Sequence, residues 1–260
     1  MTTIPIYQVD AFSGCLFKGN PAAVCPLVTW IPDVSMQRIA MENNLSETAF
    51  FVEEGRNFHI RWFTPRREVD LCGHATLAAA HVLIRHLGYG GRTITFHAMS
   101  GILNVTMSGD LLVLDFPSRP PVRGHAPEAL VAAIGKLPLE VWEGRDYMLV
   151  YETEEDVVNI KPDFEKLAMT APHGVIVTAP GNKTNFVSRF FAPALGIPED
   201  PVTGSAHTML IPYWSNRLGW KEMSALQLSE RGGEIFCEES GERVLIKGRA
   251  ITYMKGEIYL

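Results

Sequence analysis

Apolar and polar positions change period repeatedly along the chain, and each change marks an element. Ile4–Phe12 alternates and carries Ile, Tyr, Val and Phe, which predicts a strand. Gly19-Asn20-Pro21 punctuates the next stretch as a turn, and Ala22–Cys25 reads as a short buried strand. Pro32-Asp33 opens a helix through about Met41, with Met36, Ile39 and Ala40 on its apolar face, and Asn43-Asn44 stops it. The β-prone run Thr48–Val52 places Glu47 where a loop enters a strand. Phe58–Thr64 alternates again, Pro65 ends it, and Arg66–Leu71 is a polar loop. From Gly73 to about Leu87, Ala, Leu and Val recur at helical spacing, closed by Gly88. Arg92–Phe96, Ile102–Met107 and Leu111–Phe116 read as strands with Ser-Gly turns between them.

Pro117–Pro121 is the best linker candidate, and the pattern after it repeats the first half. Glu128–Gly135 is an added helix, Asp146–Glu152 and Val157–Ile160 are predicted strands, and Asp163–Ala168 is a short helix. Gly174–Thr178 is a strand, Gly204–Leu218 a second glycine-led helix, and Ala225–Leu260 is β-rich. The pattern F-x-x-R-x-F-x-P occurs at Phe58–Pro65 and at Phe186–Pro193, each time ahead of a glycine-led helix start. Gly73 lies 28 positions before Gly101, and Gly204 lies 29 before Gly233; a Ser-Gly turn follows seven positions later in both halves. These landmarks predict an α+β fold of two similar domains made by duplication. The expected boundaries are 1–116 and 117–252, with a last strand at about 253–260 crossing back to the first domain.

Composition narrows the function classes. The chain of 260 residues is 47% hydrophobic and 20% charged, enough for one large or two medium cores. A net charge of −6 without any Lys/Arg block argues against a nucleic-acid partner. No apolar run approaches the roughly 18 residues of a membrane span, and the first residues lack a signal-peptide pattern. Cys15, Cys25, Cys72 and Cys237 form no CxxC pair, so reduced thiols and a cytoplasmic location are expected, with no membrane partner.

The repeated helix starts carry the candidate chemistry. A helix opening at Gly73-His74 or Gly204-Ser205 exposes backbone N–H groups and the positive end of its dipole, suited to a carboxylate or a developing oxyanion. The flanking residues differ between the copies. The first half offers Glu47 and His74; the second has no carboxylate at Ala171–Gly174 but offers Asp200 and Ser205. Together they suit general acid–base work without a metal. Each also has a plainer reading: Glu47 solvated at a strand edge, His74 bonded to its own turn, Asp200 starting a turn before Pro201, Ser205 capping, Cys72 an inert buried thiol. No histidine spacing suits zinc, so no metal site is expected, and no dinucleotide, phosphate-loop or nucleophile-elbow motif is present.

VDAF with GNPAAV, NNLSETAF, IRWFTP, CGHATLAAA and EDPVTGSA, in that order, resemble the phenazine-biosynthesis isomerase family of the PhzF type, related to diaminopimelate epimerase. The resemblance implies two domains, each a β-barrel-like sheet around a central helix, with a small anionic carboxylate substrate in the cleft between them. It implies no cofactor, and it implies a homodimer. Glu47 matches the family's acid/base glutamate. His74, Asp200 and Ser205 match its other polar catalytic positions, and Asn20, Cys72, Gly73 and Gly204 fall among its substrate-binding positions. Two alternatives stand beside this isomerase: a non-catalytic ligand-binding or scaffold protein on the same fold, and an amino-acid racemase using Cys72. The related epimerases use two cysteines, and Thr203 stands where the second would be, which disfavours the racemase.

Overall fold

The computed structural model describes residues 3–260. They divide into two compact units, one running up to Asp115 and including Lys247–Leu260, the other Phe116–Ile246.

In the first unit, β1 (Thr3–Ala11) pairs antiparallel with β2 (Asn20–Leu27). Helix α1 (Asp33–Asn43) returns the chain so that β3 (Glu47–Glu54) runs parallel to β2, beginning with Ala22 opposite Glu47. Next come β4 (Asn57–Phe63), antiparallel to β3, and the two-residue β5 (Glu68–Val69). Helix α2 (Gly73–His86) carries the chain to β6 (Thr93–Ala98), parallel to the start of β4, then β7 (Gly101–Ser108) and β8 (Leu111–Pro117). The strand Ala250–Tyr259 lies antiparallel along the whole of β1, from Thr3 opposite Tyr259 to Ala11 opposite Ala250.

Two cores hold this unit. Met36, Ile39 and Ala40 of α1 cover one face of β1–β4 through Ile6, Cys25, Phe50 and Phe63. Helix α2 is buried on almost every side, from His74 through Ala80 and again at Val82 and Leu83, against β1, β2, β3 and β7. An alanine-rich helix suits that position, because small side chains let strands approach all round it.

The second unit repeats the order. After β9 (Val122–Arg123) and α3 (Glu128–Ile134) come β10 (Glu140–Glu143) and β11 (Tyr147–Val150), an antiparallel pair. Helices α4 (Glu154–Val158) and α5 (Phe164–Thr170) lead to β12 (Val175–Pro180), parallel to β11, and β13 (Phe186–Ala192). A 3-10 turn, Pro193–Leu195, and β14 (Ile197–Asp200) precede α6 (Gly204–Leu218), followed by β15 (Glu222–Gln227), parallel to the start of β13. The remaining strands are β16 (Gly233–Ser240), β17 (Arg243–Gly248) and β18 (Ala250–Tyr259), the last being the strand already placed beside β1. Like α2, α6 is buried over most of its circumference.

Three expectations change. Val157–Ile160 is not a strand: Thr153 and Asp156 form a reciprocal capping box, and α4 runs over the β-branched pair Val157-Val158. The turn before β2 ends at Gly19, in the left-handed region at φ +71°; Asn20 and Pro21 already belong to the strand. A Cβ at Gly19 would stand 2.1 Å from the Ala11 carbonyl oxygen, so no other residue fits there. The polar loop Arg66–Leu71 contains β5, held by Arg61 through Glu68.

The repeated arginine clamps the strand that leads into each buried helix. Arg61 forks onto Glu68 of β5 through Nε and Nη2, both at 2.7 Å, and reaches Asp33 at 2.8 Å. Arg189 forks onto Glu199 of β14 at 2.7 and 2.9 Å and also donates to the carbonyls of Val157 and Ile160. Each guanidinium lies over the next aromatic of its motif, Phe63 or Phe191.

Candidate active site

The first turn of α2 gathers four of the sequence-predicted residues. Glu47 begins β3, Cys72 is the N-cap of α2, and His74 is its second residue. Asn20 begins β2, beside β3 in the parallel pair. All are buried: Asn20 is 0%, Cys72 and His74 6%, and Glu47 8% exposed. A glutamate so enclosed departs from the ordinary fate of the residue.

The imidazole is the hub. His74 Nε2 stands 3.1 Å from Glu47 Oε2, its Nδ1 stands 3.2 Å from Asn20 Nδ2, and Cys72 Sγ lies 3.6 Å from Nδ1. With the Asn20 amide donating, Nδ1 accepts and the neutral ring carries its proton on Nε2, toward the carboxylate. The imidazolium form requires the amide turned to present its oxygen. The contact between Nε2 and Oε2 is close but poorly aligned, so Oε2 accepts no hydrogen bond among the described residues. A buried carboxylate oxygen without such a bond is costly, and that cost is characteristic of functional sites.

Burial pulls the His74 pKa down, but the adjacent Cys72 and Glu47 outweigh it and hold it well above the ordinary histidine value. Burial, reinforced by the Glu47 charge, pushes the Cys72 thiol up to about 11. At neutral pH the cluster thus keeps the Cys72 thiol protonated and favours the imidazolium form of His74 beside Glu47. No side chain hydrogen-bonds as a cap onto the first turn of α2, which leaves the Gly73 and His74 amides at the positive end of the helix.

The other half of the predicted set lies at the start of α6. The Asp200 carboxylate accepts from Thr203 Oγ1 at 2.5 Å. Gln227, from β15, accepts from the Thr203 amide at 2.8 Å and donates to the Asp200 carbonyl and to Thr203 Oγ1. Gly204 is buried and begins the helix, and Ser205 follows it, half-buried, with its carbonyl accepting from Thr208. Val175, opposite Tyr147 at the start of the parallel pair β11–β12, occupies the ladder position that Glu47 holds in the first unit. Thr203 and Ser205 correspond in the same way to Cys72 and His74.

Sequence reasoning passed over two buried polar residues here. Gln227 is 1% exposed and ties the loop before α6 to the sheet. Asp146 is buried and accepts from the Gly174 amide at 2.9 Å, and burial raises its pKa. Neither belongs to a spaced motif; burial against a partner 24 or 28 positions away leaves no local signal.

Glu47, Cys72 and His74 each offer a ligand atom within 4.8 Å of the others. A cavity of about 370 Å³ in the first unit, bordered by Trp30, Arg61, Trp62 and Glu68, lies away from this cluster, and its charged pair is already mutually satisfied. No described helix is long and apolar enough to cross a membrane.

Comparison with known proteins fits this arrangement. A hydroxyproline epimerase from Agrobacterium vitis, with trans-4-hydroxy-L-proline bound, shares the fold at a TM-score of 0.62 and 10% identity, over 98% of this chain and 92% of that one. The architecture is therefore of the epimerase and racemase type, mixed α+β and diaminopimelate epimerase-like. A PhzF-family phenazine biosynthesis protein from Enterococcus faecalis superimposes with a TM-score of 0.97 at 50% identity, covering 100% of both chains. An uncharacterized isomerase from Pseudomonas aeruginosa is 48% identical over 99% of each sequence. The family profile described as phenazine biosynthesis-like protein, PhzC-PhzF, matches residues 9–256. The chain belongs to this PhzC-PhzF family and is an isomerase.

Proposed function

We propose that the protein moves a proton within a small carboxylate substrate without a cofactor, with Glu47 as the acid and base. The observation that carries this reading is the buried Glu47 oxygen, 3.1 Å from His74 Nε2 and without an aligned hydrogen bond. In this reading the Glu47 carboxylate takes a proton from an activated carbon, and His74 holds or returns that proton. Asn20 fixes the ring's orientation from the far side. The amides of Gly73 and His74 face the substrate carboxylate or the charge that develops as the C–H bond breaks. In this reading Asp200, Gly204 and Ser205 of the second unit act on the same substrate.

The thiol at position 72, held at about 11, is a poor base at neutral pH, and Thr203 replaces its counterpart. Both features favour the carboxylate route over a two-thiol racemase.

The test begins with small carboxylates screened for thermal stabilisation and continues with the hits in deuterated water. Wild-type protein incorporates deuterium into substrate. Glu47→Gln lowers the exchange rate by about 10²–10⁴-fold while keeping the ligand-induced stabilisation. Exchange retained in that variant removes Glu47 from the role. Asp200→Asn, alone and combined with Glu47→Gln, tests the shared substrate: strongly non-additive losses are expected.

A further inference from the structure

We propose that Glu47, Cys72 and His74 form a binding site for a thiophilic divalent cation, with zinc the best match, and that the bound ion inhibits the enzyme. Among the described residues this is the single group of three such side chains whose ligand atoms lie together. Zinc bonds of about 2.3 Å to sulfur and about 2.0–2.1 Å to nitrogen or oxygen, at tetrahedral angles, need an S···N edge of about 3.6 Å and an N···O edge of about 3.4 Å. Here Cys72 Sγ lies 4.0 Å from His74 Nε2, and His74 Nε2 lies 3.1 Å from Glu47 Oε2. Shifts of a few tenths of an ångström close these two edges; the third, from sulfur to the carboxylate oxygen, lies within 4.8 Å and must shorten to about 3.6 Å. The Glu47 oxygen accepts no aligned hydrogen bond and is available as a ligand.

Charge and donor type point the same way. Binding breaks the Cys72 S–H bond and the Nε2–H bond of the His74 imidazolium, forms metal–sulfur and metal–nitrogen bonds, and releases both protons to solvent. Thiolate and carboxylate then balance a doubly charged ion, leaving a buried site with no net charge. Sulfur and imidazole select zinc over magnesium, calcium or manganese. Nε2 must be free of its proton, so Nδ1 carries the one that remains and the Asn20 amide turns to accept it; Asn20 becomes the outer partner that orients the ring. Three protein ligands leave a fourth position for water or a substrate oxygen. The second unit carries Val175, Thr203 and Ser205 at the matching places, so one ion per chain is expected.

Inhibition rests on the proposed role of Glu47, because the ion occupies the carboxylate and imidazole atoms which that role needs. Binding does not rest on it and is measured separately. The full reduced chain, stripped of metal, is titrated with zinc chloride by calorimetry and with cobalt chloride by absorption. Expected are one site per chain and a sulfur-to-cobalt charge-transfer band. Cys72→Ser removes the band, and Glu47→Gln and His74→Asn weaken zinc binding by at least about a hundredfold, more than loss of an outer partner costs. Asn20→Ala weakens it by about 10–100-fold. Cys15→Ser, at an exposed thiol, leaves it unchanged. A band that survives in Cys72→Ser, or zinc affinity unaltered in both Glu47→Gln and His74→Asn, overturns the site. If zinc binds as described and deuterium exchange continues, the site stands, and the inhibition and the Glu47 role both fail. If exchange depends on Glu47 and zinc does not bind, the metal site alone fails.

Discussion

The two buried histidines at the helix starts are poised in opposite directions. His74 faces a carboxylate and a thiol, and its pKa is raised. His207, one turn into α6, is fully buried; burial drives its pKa down to about 4, against a smaller opposing effect of the Thr203 carbonyl that its Nδ1 contacts at 2.8 Å. A group depressed in the folded state stabilises the fold above its unfolded pKa, and that contribution fades as pH falls through the folded value. His207 therefore contributes roughly 3 kcal/mol above about pH 6.5, lost progressively toward pH 4. In His207→Asn, which keeps a donor for the Thr203 carbonyl, this acid limb should flatten in urea melts taken between pH 4 and 7. An unchanged limb would assign the loss to other groups. His74 acts in the reverse sense: its contribution is complete below about pH 6.5 and declines as pH rises toward its elevated value. Spacing alone did not separate the two histidines. Their distinct states come from partners distant in sequence, Asn20 lying 54 positions from His74.

At the scale of elements, the arginine of each F-x-x-R-x-F-x-P run is what the repeat preserves. The motif was visible in the sequence as a recurring strand, but its purpose was not, because Glu68 and Glu199 follow at different offsets, 7 and 10 positions. Geometry unites them: each fork fixes a short strand that delivers the chain to a glycine-led helix. Arg189→Ala would leave the Glu199 carboxylate and the Val157 and Ile160 carbonyls without their donor. The expected cost is about 2–4 kcal/mol, read as a lowered urea midpoint with unchanged m. Arg189→Lys should recover only part of it, since an ammonium cannot fork. Helix ends were well read: Asn43-Asn44 stops α1, with Asn44 left-handed, and α6 ends at Leu218 as expected, where the structure adds a left-handed Gly219. The error at Val157–Ile160 arose where β-branched residues outvoted a capping box; the short helix is decided by its first turn and by packing of Val157. The short strands β5, β9, β10 and β14 left no period to detect, since two to four residues cannot show alternation.

At the scale of the whole molecule, duplication shows in pairing as well as in spacing. Each unit contains an antiparallel pair, a parallel neighbour, an arginine-bearing strand and a buried helix, followed by a strand parallel to the arginine-bearing one. One copy was free to change its helix start while the scaffold stayed fixed: Cys72, His74 and Glu47 in one, Thr203, Ser205 and Val175 in the other. The exception to the parallel is the strand Ala250–Tyr259. It pairs along all nine residues of β1, although the 131 residues Phe116–Ile246 intervene. That strand gives synthesis a fixed order. On the ribosome, the first unit waits with β1 unpaired on that side while the second is made, an interval on the order of ten seconds at ordinary elongation rates. Stalled nascent chains ending before Lys247 should hold a protease-resistant second unit and a cleavable first one. In a circular permutant that opens at Phe116 and joins Leu260 to the original start by a flexible linker, β18 and β1 become consecutive in translation, and the delay should disappear.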